Sequence, residues 1–167
     1  MNRVEKRTQL CICIYFHLFS CSGEVYLTSS DYAGDISPVE AWEMLKNSKS
    51  SKLVDVRTDS EWAFVGMPDL SSLLKELISV SWQLFPNMQE NPEFVQKLRD
   101  SGIGEKDQLM FICRSGGRSR MAAIEMTSHG FKNCFNVSGG FEGDHNAEGH
   151  RGTVDGWKFS KLPWKQG

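Results

Sequence analysis

Short apolar runs alternate with polar stretches of helical pattern from about residue 35 to the C-terminal region. Residues 53–56, 78–82 and 108–112 are apolar runs that predict buried strands. Helices are predicted from Pro38 to Leu45, where Ser37 and Glu40 form a capping box, and over residues 60–64, after Asn91 and over residues 121–126. Strands that alternate with helices predict an α/β fold with an open parallel sheet and helices on both faces.

The predicted strand at 108–112 leads into a loop whose composition is suited to holding an anion. Its sequence is Cys113-Arg114-Ser115-Gly116-Gly117-Arg118-Ser119. Backbone N–H groups of a glycine-rich loop can point inward, and the following helix presents its positive end at the same place. Both effects favour a negative charge, either on the sulfur of Cys113 or on a bound oxyanion. We therefore interpret Cys113 as a nucleophile; a strand-end cysteine that only packs is the alternative.

Several segments resemble signature sequences of the rhodanese (thiosulfate sulfurtransferase) family. They are the Cys113 loop, Leu53-Val54-Asp55-Val56-Arg57 with Glu61-Trp62, Asn136-Val137-Ser138-Gly139-Gly140-Phe141, and Gly156-Trp157 with Leu162-Pro163-Trp164. The resemblance covers about residues 36–165 and implies one rhodanese-like domain there. The chain departs from the family at Val65-Gly66-Met67-Pro68-Asp69-Leu70, where the family usually has Gly-His-Ile-Pro-Gly-Ala.

The resemblance and the loop together predict a sulfurtransferase that forms a persulfide on Cys113. The sulfur donor is expected to be thiosulfate or a related small anion, and the acceptor a thiol, cyanide or a protein thiol. Neither a metal nor an organic cofactor is expected. Substrate binding is assigned to the loop residues Arg114, Ser115, Gly116, Gly117, Arg118 and Ser119. Their backbone N–H groups would hold the persulfide, Arg114 would attract the donor, and Arg118 would brace the loop.

Two other functions remain open at this point. Tyrosine phosphatases place an arginine six residues after their cysteine, whereas here Ser119 holds that position and Arg118 comes one residue earlier. This spacing favours sulfur transfer over phosphatase or arsenate reductase activity. The domain could also be a persulfide carrier, or a redox-sensing module, whose partner is another protein.

The net charge and the cysteines of the chain restrict the classes of binding partner that the sequence supports. The 167-residue chain has a formal net charge of −2, which excludes a strong general attraction to nucleic acid or to anionic membranes. Arg114, Arg118 and Arg120 nevertheless form a local basic cluster, which indicates a small anionic substrate. The five cysteines do not form a disulfide framework, and Cys134 is predicted to be a packed core residue.

Other polar residues are given structural roles. Arg57 and Glu61 are predicted to pair with each other, and His129 to lie at the C-terminus of a helix. The resemblance suggests that Asp55 orients Arg118, although an ordinary role at a strand end is an equal alternative. Residues 142–155 are expected to form a polar surface loop rather than a metal site, with His150 or Arg151 at the rim of the active site.

The first thirty residues are treated as an N-terminal extension or signal-like segment. Basic residues precede an apolar run at 10–19, and small residues follow it, which is the pattern of a signal peptide. The run is too short for a stable membrane span, which needs about 20 apolar residues. His17 also interrupts the apolar run. We predict a dispensable extension on a cytoplasmic protein, with export as the alternative.

Overall fold

The computed structural model describes residues 31–167, in which strands and helices alternate. The strands are β1 (Gly34–Ile36), β2 (Ser51–Asp55), β3 (Met67–Pro68), β4 (Ile78–Ser79), β5 (Gln83–Leu84), β6 (Gln89–Glu90), β7 (Gln108–Ile112), β8 (Cys134–Val137) and β9 (Trp164–Lys165). The helices are α1 (Pro38–Asn47), α2 (Asp59–Val65), α3 (Phe94–Asp100), α4 (Gly117–Ser128) and α5 (Gly156–Phe159), with a 3₁₀ turn at Ser71–Leu73. The predicted extension at 1–30 lies outside the described residues.

Five strands form one parallel sheet in the order β1-β8-β7-β2-β4. The central pair, β2 and β7, is in register from Ser51 opposite Gln108 to Asp55 opposite Ile112. Parallel neighbours require crossover connections, and helices supply several of them. Within residues 31–167, no helix has both the length and the apolar character needed to cross a membrane.

The two faces of the sheet are covered by different helices, so the predicted α/β architecture is confirmed. Side chains alternate along β7, where Leu109 and Phe111 join the cluster that includes residues of α3 and α4. Met110 and Ile112 join the cluster that includes residues of α1 and α5. This alternation is the two-residue period of a strand that is buried on both faces.

The predicted helix ends are confirmed at two places. At the start of α1, the Ser37 side chain accepts a hydrogen bond from the Glu40 backbone, and the Glu40 carboxylate accepts one from the Ser37 N–H at 2.7 Å. At the end of α4, His129 is the C-cap, and Gly130 follows it with φ +98°. The Phe131 N–H then returns to the Met126 carbonyl at 3.1 Å, which closes the helix.

The region between β4 and α3 differs from the sequence prediction. Only Ile78 and Ser79 of the predicted strand at 78–82 pair regularly with β2. The N–H groups of Val80 and Trp82 still donate to the carbonyls of Asp55, the last residue of β2, and of Val56. Residues 83–90 form an unpredicted hairpin of β5 and β6, and β3 pairs with β9 in a second antiparallel ribbon. These strands are two residues long, too short for an alternating pattern to show in the sequence.

The chain order of the strands creates a crevice at one end of the sheet. From β2 the chain continues to β4 at one edge, whereas from β7 it continues to β8 on the opposite side. Open α/β sheets bind ligands where two adjacent strands send their connections in opposite directions, at the carboxyl ends of those strands. Here that place is the gap between the ends of β2 and β7, and Cys113 follows β7 directly.

Candidate active site

The Cys113 sulfur lies at the N-terminus of α4, within hydrogen-bonding distance of two donor groups. The Gly116 N–H donates to Sγ at 3.1 Å, and the Ser119 hydroxyl lies 3.2 Å from Sγ. The loop turns into the helix at Gly116, whose φ of +105° favours glycine. The amide donor, the hydroxyl and the positive end of a twelve-residue helix all favour negative charge on this sulfur.

The segment after β8, which includes Gly139 and Gly140, binds the backbone of the cysteine loop. The Phe141 N–H donates to the Cys113 carbonyl at 2.7 Å, and the N–H groups of Glu142 and Gly143 both donate to the Arg114 carbonyl. A Cβ on Gly140 would lie 2.5 Å from the Cys113 carbonyl oxygen, so only glycine allows this approach. The segment thus binds the carbonyl groups of the loop, which fixes the orientation of its peptide units.

The Ser119 hydroxyl has two partners but only one proton. Its oxygen lies 3.2 Å from the Cys113 Sγ and 2.7 Å from the Asn136 Oδ1, and the Asn136 Nδ2 donates to Asp35 at 2.8 Å. With a Cys113 thiol, the S–H can donate to Ser119 while Ser119 donates to Asn136. With a thiolate, the hydroxyl must turn to the sulfur if the charge is to receive its hydrogen bond. The ionisation of Cys113 is therefore linked to the hydrogen bonding of Asn136.

Asp35 terminates this chain of hydrogen bonds and keeps the Asn136 amide in one orientation. Burial raises the pKa of Asp35, but hydrogen bonds from Asn136, Tyr32 and Arg120 outweigh burial and lower it. The Arg120 Nη2 lies 2.6 Å from the Asp35 carboxylate. The predicted basic cluster is therefore wrong for Arg120, because this guanidinium is paired with Asp35 on β1 rather than directed to the loop cavity.

Arg118 is held by Glu61, which the sequence prediction had paired with Arg57. Two guanidinium nitrogens of Arg118 donate to the two carboxylate oxygens of Glu61 at 2.7 and 2.6 Å. Burial raises the pKa of Glu61, but hydrogen bonds from Arg118 and the Thr58 backbone outweigh it and lower the pKa to about 2. Burial lowers the pKa of Arg118 and Glu61 raises it, with a net upward change. This bidentate pair joins the start of α2 to the cysteine loop.

Arg57 instead pairs with Asp55, so the predicted Arg57–Glu61 pair is wrong, and of the two roles left open for Asp55 the structure supports the one at the strand end. Both side chains are fully buried, with Arg57 Nη2 2.6 Å from Asp55 Oδ2. Arg57 also donates to the Gly66 carbonyl at 2.7 Å, and its guanidinium lies 4.1 Å from the centre of the Phe141 ring. Asp55 thus has a structural role at the end of β2, whereas Glu61 orients Arg118. The sequence Thr58-x-x-Glu61 is a capping box, the signal that could have placed Glu61 at the helix start.

An open cavity of about 760 Å³ lies beside the loop. Its lining comes from the loop, α2, the hairpin and the segment after β8: Arg114, Arg118, Thr58, Ser60, Glu61, Val65, Gln83, Phe85, Met88, Glu142 and Arg151. The structure places Arg114 and Arg118 at this cavity, whereas Cys113 is 1% exposed and does not line it.

The other loop residues assigned to substrate binding form the turn around the sulfur and do not line the cavity. They are Ser115, Gly116, Gly117 and Ser119. Arg151 reaches the cavity rim and donates to the Gly143 carbonyl, whereas His150 is exposed and does not line the cavity. Among residues 31–167, no three His, Cys, Asp or Glu side chains lie close enough together to hold a metal ion.

The second cysteine of the domain, Cys134, is buried on β8. Its sulfur lies 3.0 Å from the Phe131 carbonyl, and burial raises its pKa to about 12. A thiol of this kind stays protonated at neutral pH and packs as a small apolar group. The predicted core position of Cys134 is confirmed.

Solved structures share this parallel α/β fold. The crystal structure of Rv0390 from M. tuberculosis is 47% identical, covers 81% of this chain and 99% of that one, and superposes with a TM-score of 0.75. A polysulfide-sulfur transferase homodimer from Wolinella succinogenes, 22% identical, covers 83% of this chain and 82% of that one and shares the fold with a TM-score of 0.58.

The chain belongs to the family described as the STR4 middle domain, whose model matches residues 33–167. Uncharacterized protein RC0915 of Rickettsia conorii is 39% identical over 131 residues, which are 78% of this chain and 96% of that protein. Rhodanese-like domain-containing protein 4, chloroplastic, of Arabidopsis thaliana is 26% identical over 77% of this chain and 25% of its own length. The predicted rhodanese-like fold is thereby confirmed.

Proposed function

We propose that this protein is a sulfurtransferase that carries the transferred sulfur as a persulfide on Cys113. The observation that carries the proposal is the setting of this sulfur at the N-terminus of α4, with the Gly116 N–H at 3.1 Å and the Ser119 hydroxyl at 3.2 Å. Both groups are positioned to donate hydrogen bonds to a negatively charged sulfur and so to stabilise it. Membership of the rhodanese-like superfamily supports the same chemistry.

The proposed reaction has two half-reactions and needs no external oxidant or reductant. The Cys113 thiolate attacks the outer sulfur of thiosulfate, the sulfur–sulfur bond of the donor breaks, and sulfite leaves with the electron pair. The Cys113 persulfide remains, with its negative charge near the loop N–H groups. A thiolate or cyanide then attacks the outer sulfur of the persulfide, takes it, and restores the Cys113 thiolate.

The two loop arginines have different roles in this proposal. Arg114 is exposed, has no ion pair within residues 31–167, and lines the cavity, which suits the attraction of an anionic donor. Arg118 is mostly buried and engaged by Glu61, which suits a bracing role for the loop. The backbone N–H groups from Arg114 to Ser119 hold the persulfide, and the acceptor is a small thiol or a protein thiol.

The experiment that tests the proposal follows sulfur onto the cysteine. Protein incubated with thiosulfate alone should gain the mass of one sulfur atom on the Cys113 peptide, and cyanide should remove it. Cys113→Ser should gain nothing, because an alcohol does not ionise at neutral pH. Cys134→Ser is the matched control and should load sulfur as the wild type does, since the native thiol has a pKa of about 12. Sulfur found on Cys134, or turnover by Cys113→Ser, would contradict the proposal.

Further assays of the same purified protein distinguish the proposed function from the alternatives. Hydrolysis of a phosphate ester or reduction of arsenate, with no sulfur loaded from thiosulfate, would favour the phosphatase-like alternative. Loading from thiosulfate followed by transfer only to a protein acceptor would favour the persulfide carrier.

A further inference from the structure

We infer that the loop cavity is built for an organic sulfur donor with an apolar body and a single negative charge, in preference to thiosulfate. The inference rests on the proposed function and names the substrate class of the same site. It follows from three properties of the cavity: an apolar lip, the balance of charge in the lining, and the volume.

The apolar lip consists of Val65, at the end of α2, and Phe85 and Met88, in the β5–β6 hairpin. Phe85 is 67% exposed and Met88 is 39% exposed, so the hairpin presents large apolar side chains to solvent beside the loop arginines. Apolar groups that line a concave site mark a surface that a ligand covers. A small inorganic anion has no apolar surface with which to cover them.

The charge of the lining suits a monoanion. Three arginines and two glutamates line the cavity, which leaves one formal positive charge. Arg118 and Glu61 neutralise each other in a bidentate pair, and the remaining charges are those of Arg114, Arg151 and Glu142. The one formal positive charge of the lining side chains equals in size the charge of an organic thiosulfonate, whereas thiosulfate carries two negative charges.

The volume also exceeds what an inorganic donor needs. A cavity of about 760 Å³ lies within the range, roughly 300–1,000 Å³, of pockets that bind drug-sized organic molecules. A donor with an aromatic or aliphatic body can place its sulfur end at Arg114 while its body covers Phe85 and Met88. Aromatic rings gain further from contact with Phe85 through edge or offset packing.

The chemical step is the same displacement with a different leaving group. For an organic thiosulfonate, the Cys113 thiolate attacks the outer sulfur and the bond between that sulfur and the sulfonyl sulfur breaks. The electron pair leaves on the sulfinate, and the persulfide forms on Cys113. The step needs no further oxidant, reductant or proton.

The test compares benzenethiosulfonate with methanethiosulfonate, two monoanionic donors, and with thiosulfate. Because their leaving groups also differ, each kcat/KM is divided by the rate constant of the same donor with a small free thiolate. For the wild type, this ratio should be about two- to tenfold higher with the benzene donor than with the methane donor. Phe85→Ala should abolish this preference. Phe159→Ala, which truncates a 50% exposed phenylalanine outside the cavity lining, is the matched control and should retain it.

Equal ratios for the two organic donors in the wild type, or a preference that survives Phe85→Ala, would overturn the inference. Higher efficiency with thiosulfate than with either organic donor would overturn it as well. In each case sulfur still loads on Cys113, so the proposed function stands. If none of the three donors loads sulfur on Cys113, the proposed function itself fails.

Discussion

Replacing Glu61 by glutamine tests whether the pair with Arg118 anchors the cysteine loop to α2. Glutamine keeps the shape of the side chain and removes its charge. The two nitrogens of Arg118 lie 2.7 and 2.6 Å from the Glu61 oxygens, and the two side chains are 16% and 18% exposed. We expect Glu61→Gln to lower the free energy of unfolding at pH 7 and to weaken the hold on Arg118.

The magnitude follows from the pKa of Glu61. A fall from 4.5 to about 2 corresponds to about 3 kcal/mol, at about 1.36 kcal/mol for each pKa unit. Solvent reaches part of the pair and screens it, so we expect about 1–2 kcal/mol of stabilisation. Because the folded-state pKa lies below the ordinary value, this stabilisation is present above about pH 4.5 and is lost as the pH falls towards 2.

Urea unfolding at several pH values measures the effect directly. The free energy of unfolding of Glu61→Gln should lie about 1–2 kcal/mol below that of the wild type at pH 7, and the gap should close between pH 4.5 and 2. Glu43→Gln removes a carboxylate that is 50% exposed in a surface pair with Lys46, and should change stability far less. A gap that stays constant down to pH 2, or no gap at pH 7, would refute the reasoning.

Three further predictions concern the loop. Gly140→Ala should lower the free energy of unfolding by about 2–4 kcal/mol, because the added Cβ would lie 2.5 Å from the Cys113 carbonyl oxygen. The control Gly102→Ala also places a Cβ at positive φ but in open space, and should lower the free energy of unfolding by about 1–2 kcal/mol. Equal losses in the two variants would contradict this prediction. Ser119→Ala should slow alkylation of Cys113 by iodoacetamide at pH 7 about tenfold; an unchanged rate would remove the hydroxyl from thiolate stabilisation. Arg114→Ala should raise the KM for thiosulfate about tenfold, and the wild-type KM should rise with salt; unchanged saturation at low salt would exclude Arg114 from donor binding.

The sequence predicts the central sheet and the cysteine loop because each depends on local pattern. The apolar run at Gln108–Ile112 is long enough to identify a strand, and the glycines and arginines after it define the loop within a few residues. The capping box at Ser37 likewise uses atoms three residues apart. Such features need no knowledge of which distant residues meet.

The ion pairs were mispredicted because the choice of partner is set by the tertiary fold. Arg57 is four residues from Glu61 in the sequence, yet its side chain turns back to Asp55 inside the core, and Glu61 meets Arg118, 57 residues away. Crossover topology brings the ends of β2 and β7 together, and only then does this pairing arise. The apolar lip escaped prediction for a different reason, since its hairpin strands are too short to show a pattern.

The single proton of Ser119 gives the domain a built-in spectroscopic reporter. When Cys113 becomes charged, the hydroxyl that serves the Asn136 carbonyl oxygen turns to the sulfur, and the electronic environment of the Asn136 amide changes. One amide proton of Asn136 is hydrogen-bonded to Asp35 and the side chain is buried, which favours slow exchange with water and a resolved nitrogen-15 resonance. A change in that resonance would report a change in the charge of the sulfur in unmodified protein, without any chemical label on the cysteine.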